Sequence, residues 1–475
     1  MNQLAALISG KPVKTKAKLA VLDPSTGAVL SEVPDCGPAE VDQAVRAARG
    51  ALPSWRRTAV ADRAKILRRT GQLIERDRDE MARLECRQTG KPLRQARRDV
   101  EITTRYFDFY ASAIETFYGA SIPLNEKTVI TTTWEPHGVT AHIIPWNYPL
   151  QILGRTIAPA LAMGNCCVLK PAEEAPLTAL RVGELALEAG LPAGAFNVVT
   201  GYGESAGAAL IAHDGIDHIS FTGSVEVGRI ISHAAAEHLI PVTMELGGKS
   251  PNIVFADADL DRALPVLVNA ILQNAGQTCS AGSRLLVQES IHDKLVARIA
   301  EVFAGVEIGP ALDDPTLGPL ISQRQRERVL AFVEGAKAGA EIRFGGQALS
   351  GGRYGNGFFV QPTLVDHVDP ASKLGQEEVF GPVLAVTTFR DAAQAVELAN
   401  GTDYGLVAGV WTTNVTTAHT MLREVIAGQI FVNTYGASGG VELPFGGFKR
   451  SGHGREKGAE GLRSFGQIKT GIIGL

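Results

Sequence analysis

The sequence predicts an α/β protein built on parallel sheets that helices cover. From Thr140 to His238, apolar runs of strand character alternate with segments of helical periodicity, and such alternation is typical of a doubly wound parallel sheet. A second alternating stretch begins near Ser250 and continues to about residue 443. Because 475 residues exceed what a single core usually accommodates, we expect two or three domains.

The region before the first sheet, from residue 38 to about 118, is predicted to be mainly helical. Pro38 marks a helix start, and residues 61 to 85 place apolar side chains at helical spacing. Acidic residues are interleaved with the arginines of this region, so a solvated helix face is expected. Its arginines are Arg63, Arg68, Arg69, Arg76 and Arg78. Thr128 to Val139 is predicted to be a strand.

Several strands of the two sheets can be placed from short apolar runs. They are His142–Ile144, Cys166–Leu169, Phe196–Val199, His218–Phe221 and Pro251–Phe255. A helix from Leu177 to Ala189 is expected between two of them. Composition does not change near residue 248, so a domain boundary there is inferred only from the chemistry of the neighbouring motifs.

Composition and charge argue against several classes of protein. Hydrophobic residues make up 45% and charged residues 20% of the chain, and the net charge is -4. We therefore expect no nucleic-acid partner and no anionic membrane partner. Apolar stretches are interrupted before the roughly 20 residues that a membrane span needs. The N-terminus lacks the charged and apolar regions of a secretory signal.

The cysteines and histidines lack the spacings of a disulfide framework or a metal site. Five cysteines at irregular spacing include no CxxC, which favours a reducing environment and hence the cytoplasm. Four of them are expected to be small buried hydrophobic residues: Cys36, Cys86, Cys166 and Cys167. The ten histidines are scattered, so we predict no catalytic metal.

The fifth cysteine, Cys279, is the candidate nucleophile. A lone cysteine is more often a buried hydrophobic residue, but Cys279 lies between Thr278 and Ser280, in a run that Gly276 and Gly282 leave open. A thiolate in such surroundings can attack a carbonyl carbon.

Two further segments supply the groups that this chemistry needs. Glu245 precedes the Gly247-Gly248 turn and could activate water, although a surface Glu before a turn is the alternative. Asn147 lies between Pro145 and Pro149, which restrict the backbone. Its amide and the Cys279 N–H could form an oxyanion hole, in which each donor typically contributes about 3 kcal/mol.

A phosphate-binding turn is expected after one strand of the first sheet. Phe221 ends an apolar run, Gly223 turns the chain, and Ser224 to Gly228 open a helix whose N-terminal N–H groups can face a pyrophosphate. Lys170 follows another strand, and its carboxyl end is where open α/β sheets bind ligands.

The segments around Asn147, Glu245 and Cys279, in this order, resemble the NAD(P)-dependent aldehyde dehydrogenase family over nearly the whole chain. The resemblance implies a Rossmann-like NAD-binding domain, an α/β catalytic domain and a small β oligomerisation element. The implied ranges are 1–118 and 139–248, then 249–443, and finally 119–138 and 463–475. A homodimer or homotetramer that acts on a small-molecule aldehyde is expected.

The resemblance assigns Cys279, Glu245 and Asn147 catalytic roles. Cys279 would form a thiohemiacetal, hydride transfer to NAD would leave a thioester, and Glu245 would activate water to hydrolyse it. Glu245 is commonly absent from the CoA-acylating branch, so its presence favours a carboxylic acid product. Glu456 matches an acidic position that some members use in proton relay, and a structural ion pair is an equal alternative.

The resemblance also implies a set of cofactor contacts. They are Ile144, Trp146, Lys170, Glu173, Gly203, Phe221, Gly223, Ser224, Gly228, Leu246, Glu378 and Phe380. Lys170 and Glu173 match the pair that holds the adenosine ribose, and a carboxylate there repels a 2′-phosphate, so NAD is preferred to NADP. Glu378 and Phe380 match the residues at the nicotinamide ribose and ring.

The substrate tunnel is expected to be lined by residues of three segments. They are Tyr148, Gln151, Arg155, Thr278, Ser280 and Ser438. Arg155 replaces the Trp of many family members and suits a carboxylate, which favours a semialdehyde with a distal polar or anionic group. Aromatic-aldehyde members also carry Arg here, so an aromatic aldehyde is the alternative, and Gln273 supplies no second Arg. A CoA-acylating enzyme and a non-catalytic scaffold are less favoured.

Overall fold

A computed structural model describes residues 4–436 and 440–475. The helices of these residues are, in chain order, α1 (Pro38–Trp55), α2 (Val60–Arg76), α3 (Arg78–Thr89), α4 (Leu93–Ala113), α5 (Pro149–Met163), α6 (Leu177–Glu188), α7 (Ala208–Ile211), α8 (Val225–His238), α9 (Leu260–Leu272), α10 (His292–Ala304), α11 (Gln323–Ala336), α12 (Lys373–Gln376), α13 (Ala392–Asn400), α14 (Val415–Glu424) and α15 (Gly458–Ser464).

The strands of the first half are β1 (Ala6–Ile8), β2 (Lys11–Val13), β3 (Lys18–Asp23), β4 (Ala28–Pro34), β5 (Thr128–Pro136), β6 (Val139–Ile144), β7 (Cys166–Pro171), β8 (Phe196–Val198), β9 (His218–Thr222) and β10 (Val242–Glu245). Those of the second half are β11 (Pro251–Val254), β12 (Arg284–Gln288), β13 (Glu341–Phe344), β14 (Ala348–Leu349), β15 (Phe359–Val360), β16 (Thr363–Asp366), β17 (Val383–Phe389), β18 (Tyr404–Gly405), β19 (Val407–Trp411), β20 (Gln429–Val432), β21 (Phe448–Lys449), β22 (Gly452–His453) and β23 (Gly466–Gly474).

The first sheet has a parallel centre and antiparallel edges. Its strand order is β2-β1-β8-β7-β6-β9-β10-β22, and the strands from β8 to β10 run parallel. The central strands are buried on both faces, which explains why they form continuous apolar runs rather than alternating patterns. The edge strand β22 comes from the segment between residues 444 and 462, to which the sequence assigned no domain.

The second sheet has the order β13-β16-β17-β12-β11-β19-β20, and all of its pairs except β13–β16 are parallel. The predicted α/β class, with two parallel sheets, is therefore confirmed. The assignment of cofactor binding to one part of the chain and catalysis to the other stays a prediction.

The N-terminal helices pack against the first sheet through long apolar faces. α4 contacts both α2 and α5 and buries Tyr106, Phe107 and Tyr110. The predicted solvated arginine face is wrong at Arg63, which is buried and donates from Nε to the Ala162 carbonyl oxygen at 2.9 Å. The helix face that carries these arginines is therefore partly buried, because the C-terminal end of α5 packs against it at Arg63.

Two nine-residue strands outside the two large sheets form a sheet of their own. β5 and β23 pair antiparallel over nine residues, from Thr128–Gly474 to Pro136–Gly466. Ile468, Ile472 and Ile473 are each more than half exposed, as expected for the tail. Its role in oligomerisation stays a prediction. Among the described residues, no helix is long and apolar enough to cross a membrane.

Candidate active site

The order of strands in the first sheet creates a crevice at one edge. The chain proceeds from β6 to β7 and β8 on one side, and then returns to add β9 and β10 on the other side of β6. A ligand crevice forms at such a switch point, outside the carboxyl ends of the strands. Ile144 ends β6, and Thr222 ends the adjacent β9. The loops that follow these strands carry Asn147 and Gly223.

A cavity of about 800 Å³ opens beside Cys279. One face of α5 lines it, with Tyr148, Gln151, Ile152 and Arg155 at helical spacing. Apolar and aromatic side chains from other elements complete much of the wall, among them Ile102, Tyr106, Leu264, Val268, Tyr435 and Phe445. The cavity therefore suits a molecule with an apolar body.

The loop that presents Cys279 has an unusual backbone. Asn274, Ala275 and Gly276 all have positive φ angles, of 50°, 54° and 72°, a region that costs non-glycine residues energy. At Gly276 a Cβ atom would lie 2.1 Å from the Gly381 carbonyl oxygen, so only glycine fits this close approach. The turn brings the nucleophile loop against the loop that carries Phe380.

A hydrogen-bonded clamp joins the Asn147 loop to the nucleophile loop. Asn147 Nδ2 donates to the Gln277 carbonyl oxygen at 2.9 Å, and Asn274 Nδ2 donates to the Asn147 carbonyl oxygen at 2.9 Å. The Asn147 amide was expected to point at an oxyanion. One of its two N–H groups is instead occupied by Gln277, which leaves the second. The sequence did not indicate this role of Asn274. Its side chain donates to backbone carbonyl oxygens, one of which belongs to the distant Asn147, and no sequence motif marks such contacts.

The thiol of Cys279 is partly exposed, whereas the other four cysteines are buried, as the sequence predicts. Burial raises the pKa of the Cys279 thiol to about 12, which Arg155 opposes and Glu378 and Glu245 reinforce. The raised pKa favours the neutral thiol over the thiolate, so a base must accept its proton during attack.

Glu245 ends β10 and is buried, and neither of its carboxylate oxygens has a hydrogen-bond partner among the described residues. Burial and the neighbouring Glu456 raise its pKa to about 8, although Arg155, Arg455 and Lys457 act in the opposite direction. A surface Glu is thus ruled out. A carboxyl group that titrates near neutral pH is suited to general-base work.

Arg155 does not present a free guanidinium to the cavity. Its Nε forms an ion pair with Glu456 Oε2, and an Nη donates to Thr222 Oγ1 at 3.2 Å. Both Arg155 and Glu456 are buried. Of the two roles left open for Glu456, the geometry favours the ion pair. The prediction that Arg155 binds a substrate carboxylate is not supported, because an internal carboxylate already balances its charge.

Lys457 is a cavity residue that the sequence analysis did not single out. Its ammonium group lies 5.1 Å from the centre of the Phe445 ring and has no hydrogen bond or ion pair with the described residues. Its φ of 61° is positive, which is strained for a lysine. Burial and Arg155 lower its pKa to about 8, against the effect of Cys279 and two glutamates. Its strained backbone was not visible in the sequence.

The other predicted substrate residues lie around the same cavity. Tyr148 Oη and Thr278 Oγ1 are 3.0 Å apart, and Gln273 Nε2 donates to Tyr148 Oη at 3.0 Å. Gln151 donates to Asp99 at 2.5 Å. Ser280 is held through its carbonyl oxygen, which accepts from Tyr435 Oη at 2.9 Å. Ser438 lies outside the described residues.

The predicted phosphate-binding turn follows β9. Ser224 is the N-cap of α8, where its side-chain oxygen accepts from the Val227 N–H at 3.3 Å. Phe221 is buried in the strand. Gly228 allows α8 to approach Leu246, since a Cβ atom at Gly228 would lie 2.8 Å from a Leu246 methyl carbon. The first turn of α8 therefore faces the crevice at the carboxyl edge of the sheet.

The predicted ribose-binding residues lie at the same edge. Lys170 and Glu173 are ion-paired at 2.9 Å, with the Lys170 side chain buried and that of Glu173 partly exposed. Gly203 opens a turn of π-helix, and a Cβ atom there would contact nothing within 4 Å. Close packing therefore does not explain Gly203, and its cofactor role stays a prediction.

The loop from Glu378 to Phe380 meets the catalytic segments from the other side. Glu378 Oε1 accepts from the Gly248 N–H at 3.0 Å, and burial raises the pKa of Glu378 to about 7. The ring of Phe380 packs edge-on against Trp146, with centroids 5.3 Å apart. A β-carbon at Gly248 would lie 2.4 Å from the Cys279 carbonyl oxygen. Residues from four segments thus meet within one site.

Known proteins resemble this chain over nearly its whole length. The family model described as aldehyde dehydrogenase family matches residues 12–471. An aldehyde dehydrogenase of Emericella nidulans is 44% identical over 95% of this chain and 90% of its own length.

The chain belongs to the aldehyde dehydrogenase family.

The names of other relatives refer to different aldehydes or to a bound cofactor. Retinal dehydrogenase 2 of Homo sapiens is 42% identical over 95% of this chain and 87% of its own. The structure of an NAD+ complex of a Bacillus cereus aldehyde dehydrogenase is 37% identical, with a TM-score of 0.97 and coverage of 100% and 97% of the two chains. An indole-3-acetaldehyde dehydrogenase of P. syringae in complex with NAD+ and IAA is 38% identical, with the same TM-score and coverage. The predicted family and its fold are confirmed.

Proposed function

We propose that this aldehyde dehydrogenase oxidises an aldehyde to a carboxylic acid and uses NAD as the hydride acceptor. One observation carries the proposal. Cys279 is partly exposed and lines the cavity, and the buried Glu245 carboxylate, which has no hydrogen-bond partner among the described residues, lies near enough to raise the pKa of the Cys279 thiol. A nucleophile beside a carboxylate that can act as a base is what acyl chemistry on a carbonyl requires.

The first step joins the Cys279 sulfur to the carbonyl carbon as the thiol proton passes to a base. The carbonyl oxygen becomes an oxyanion, which the free N–H of the Asn147 amide and the Cys279 backbone N–H stabilise. Bound NAD would supply the acceptor for the hydride that leaves this carbon, and the acyl group would then remain on Cys279 as a thioester. Glu245 then removes a proton from water, which adds to the thioester and releases the acid and the thiol.

The residues present fit NAD. The crevice at the switch point lies beside the N-terminus of α8, which Ser224 caps, and a helix N-terminus attracts phosphate. Glu173 is partly exposed beside Lys170, so its carboxylate can accept from a ribose hydroxyl and repel a 2′-phosphate. Structural relatives solved with NAD+ support the same cofactor.

The substrate carries an apolar body and a polar or anionic group. The apolar body follows from the cavity walls, and the indole-3-acetaldehyde dehydrogenase among the structural relatives supports an aromatic one. Lys457 supplies the cation for the polar group. The other cations that line the cavity in the described part of the chain are ion-paired, Arg94 with Asp314, Arg98 with Glu101 and Arg155 with Glu456.

The test is NADH formation from a panel of aldehydes. Benzaldehyde, hexanal, para-carboxybenzaldehyde, succinic semialdehyde and betaine aldehyde would be compared in the wild type, Cys279→Ala, Glu245→Gln and the buried-thiol control Cys166→Ala. We expect oxidation that Cys279→Ala abolishes and Cys166→Ala retains. Glu245→Gln should still release a first equivalent of NADH but turn over slowly. Absence of NADH formation with every aldehyde, with or without CoA, would refute the proposal.

A further inference from the structure

A second cluster of chemically active side chains lies away from the catalytic site. His292 begins α10, Asp366 ends β16, and His367 follows Asp366. Cys279 precedes the amino end of β12, and both β12 and β16 run parallel to β17. The cluster therefore lies toward the opposite edge of the second sheet from the nucleophile.

The geometry points to a divalent transition-metal site formed by His292, Asp366 and His367, and we propose that it binds Zn²⁺. One ligand atom from each of the three residues can be chosen so that all lie within 4.8 Å of one another. His367 Nε2 is 3.8 Å from Asp366 Oδ2, and His292 Nε2 is 2.8 Å from Asp366 Oδ1. Ligand atoms around a tetrahedral zinc are about 3.4 Å apart for bonds of about 2.1 Å, so small side-chain rotations suffice.

A buried oxygen without a partner supports the site independently. Asp366 is 1% exposed, and its Oδ2 has no hydrogen-bond partner among the described residues. Its Oδ1 accepts from His292 Nε2 and from the His367 backbone N–H, each at 2.8 Å. The Nε of Arg343 is 4.0 Å from Oδ2, beyond hydrogen-bonding distance, and Arg343 is paired at 2.8 Å with Glu341. A buried carboxylate oxygen left without a partner is costly, and a metal ion would satisfy it.

The surroundings also orient one ligand. His292 Nδ1 is 2.8 Å from Asp293 Oδ1, and a histidine ligand usually donates its second ring N–H to a carboxylate in this way. Two imidazoles with one carboxylate suit Zn²⁺, Co²⁺ or Ni²⁺ better than Mg²⁺ or Ca²⁺, which prefer oxygen ligands. Three protein ligands leave a fourth position for water.

The competing explanation is an ion-paired histidine. Burial opposes protonation of His292, but hydrogen bonds to Asp366 and Asp293 outweigh it and raise its pKa. In that case the ion pair between protonated His292 and Asp366 is enough to stabilise the cluster without a metal ion. A metal would replace this proton and would engage His367, which the ion pair does not need. His367 therefore separates the two explanations.

The experiment is Zn²⁺ binding to the full chain by titration calorimetry, with His367→Asn as the test variant. Asn tolerates the positive φ of 54° at this position, and the exposed histidine His419 provides the matched control, His419→Asn. We expect one Zn²⁺ per chain for the wild type and His419→Asn, an affinity at least about tenfold weaker for His367→Asn, and a melting temperature that Zn²⁺ raises only when the site is intact.

Co²⁺ spectra distinguish this site from the thiol of Cys279. Nitrogen and oxygen ligands give visible bands without the intense near-ultraviolet charge transfer of a thiolate, and His292→Ala should remove those bands. Equal Zn²⁺ affinity in the wild type and His367→Asn, or binding with thiolate spectra only, would overturn the proposal. Either result leaves aldehyde oxidation untouched, since the cluster is separate from Cys279.

Discussion

The protonation of Glu245 is controlled by residues outside its own motif. Arg155 and Lys457 lower its pKa, while burial and Glu456 raise it to about 8. At neutral pH most of the carboxyl group is therefore protonated, and the base form accumulates as the pH rises through 8. A reaction limited by water activation should accelerate over the same interval.

Arg155→Met should move the pH profile of kcat to higher pH. Removal of the positive charge raises the pKa of Glu245 further, so the rising limb should shift by about one pH unit or more, which corresponds to about 1.4 kcal/mol. Arg155→Lys should shift it less. The measurement is kcat against pH with a neutral aldehyde, and Arg105→Met, which breaks the exposed pair with Glu442, is the control. An unchanged midpoint in Arg155→Met would show that Arg155 does not tune the base.

Lys457 should decide the preference for an aldehyde with an anionic group. Lys457→Gly removes the ammonium group and relieves the positive φ, so the protein should be as stable as the wild type or more stable, by up to about 1 kcal/mol. We expect kcat/KM for para-carboxybenzaldehyde to fall at least about tenfold relative to benzaldehyde, a loss of about 1.4 kcal/mol of transition-state binding. Lys457→Arg should retain the preference. Equal losses for both aldehydes would instead indicate a role in activating Cys279.

The turn before the nucleophile acts as one structural element, and its shape depends on Gly276. Gly276→Ala would place a methyl group against the Gly381 carbonyl at a position of positive φ. We expect a loss of about 2 to 4 kcal/mol in stability and a decrease in kcat of at least about a hundredfold, because the sulfur is displaced. The measurements are thermal unfolding and NADH formation. Gly335→Ala, in an open position of α11, should be neutral or stabilising, and a similar loss there would contradict the argument.

Two serine-capped helices provide a matched test of the cofactor crevice. Ser224 caps α8 and Ser322 caps α11, each by accepting from a backbone N–H two or three residues into the helix. Replacement of either by Ala should cost about 1 kcal/mol of stability. Only Ser224→Ala should raise KM for NAD, by about threefold to tenfold, because α8, unlike α11, directly follows a strand at the switch point of the first sheet. The measurement is KM for NAD in the two variants. Equal KM values would show that Ser224 does not contact the cofactor.

The predictability of each element follows from how local its cause is. Cys279 and Glu245 lie in short contiguous motifs, and strands β6, β7 and β9 form continuous apolar runs, so the sequence sufficed to single them out. Strands β10 and β12, which flank the two motifs, were not predicted. The pairing of Arg155 with Glu456 joins residues far apart in the chain, and no spacing rule indicates it. The same holds for His292 and His367, which scattered spacing concealed. To single out Lys457, one must know its backbone angle and that it has no ion-pair partner in residues 4–436 and 440–475.

At the scale of the whole molecule, the three residues of the proposed mechanism come from both sheets. Glu245 ends strand β10 of the first sheet, and Asn147 lies in the loop after β6. Cys279 lies in the connection between β11 and β12 of the second sheet. The small sheet of β5 and β23 contributes no residue to the cavity wall described here. A contact with substrate therefore does not explain its length of nine pairs.

The exposed sheet of β5 and β23 should bind a second subunit. A two-stranded sheet alone is marginally stable in water, yet Ile472 and Ile473, on opposite faces, are 66% and 63% exposed. Association would bury both faces and satisfy the free edges. We therefore expect the wild type to be a dimer or tetramer, and Ile472→Glu to lower its mass toward that of a single chain in light scattering, because a buried carboxylate opposes assembly. Val29→Glu places the same charge at a residue of β4 that is 60% exposed and should leave the mass unchanged. A wild type that remains a single chain at micromolar concentration would show that the sheet is stable without a partner.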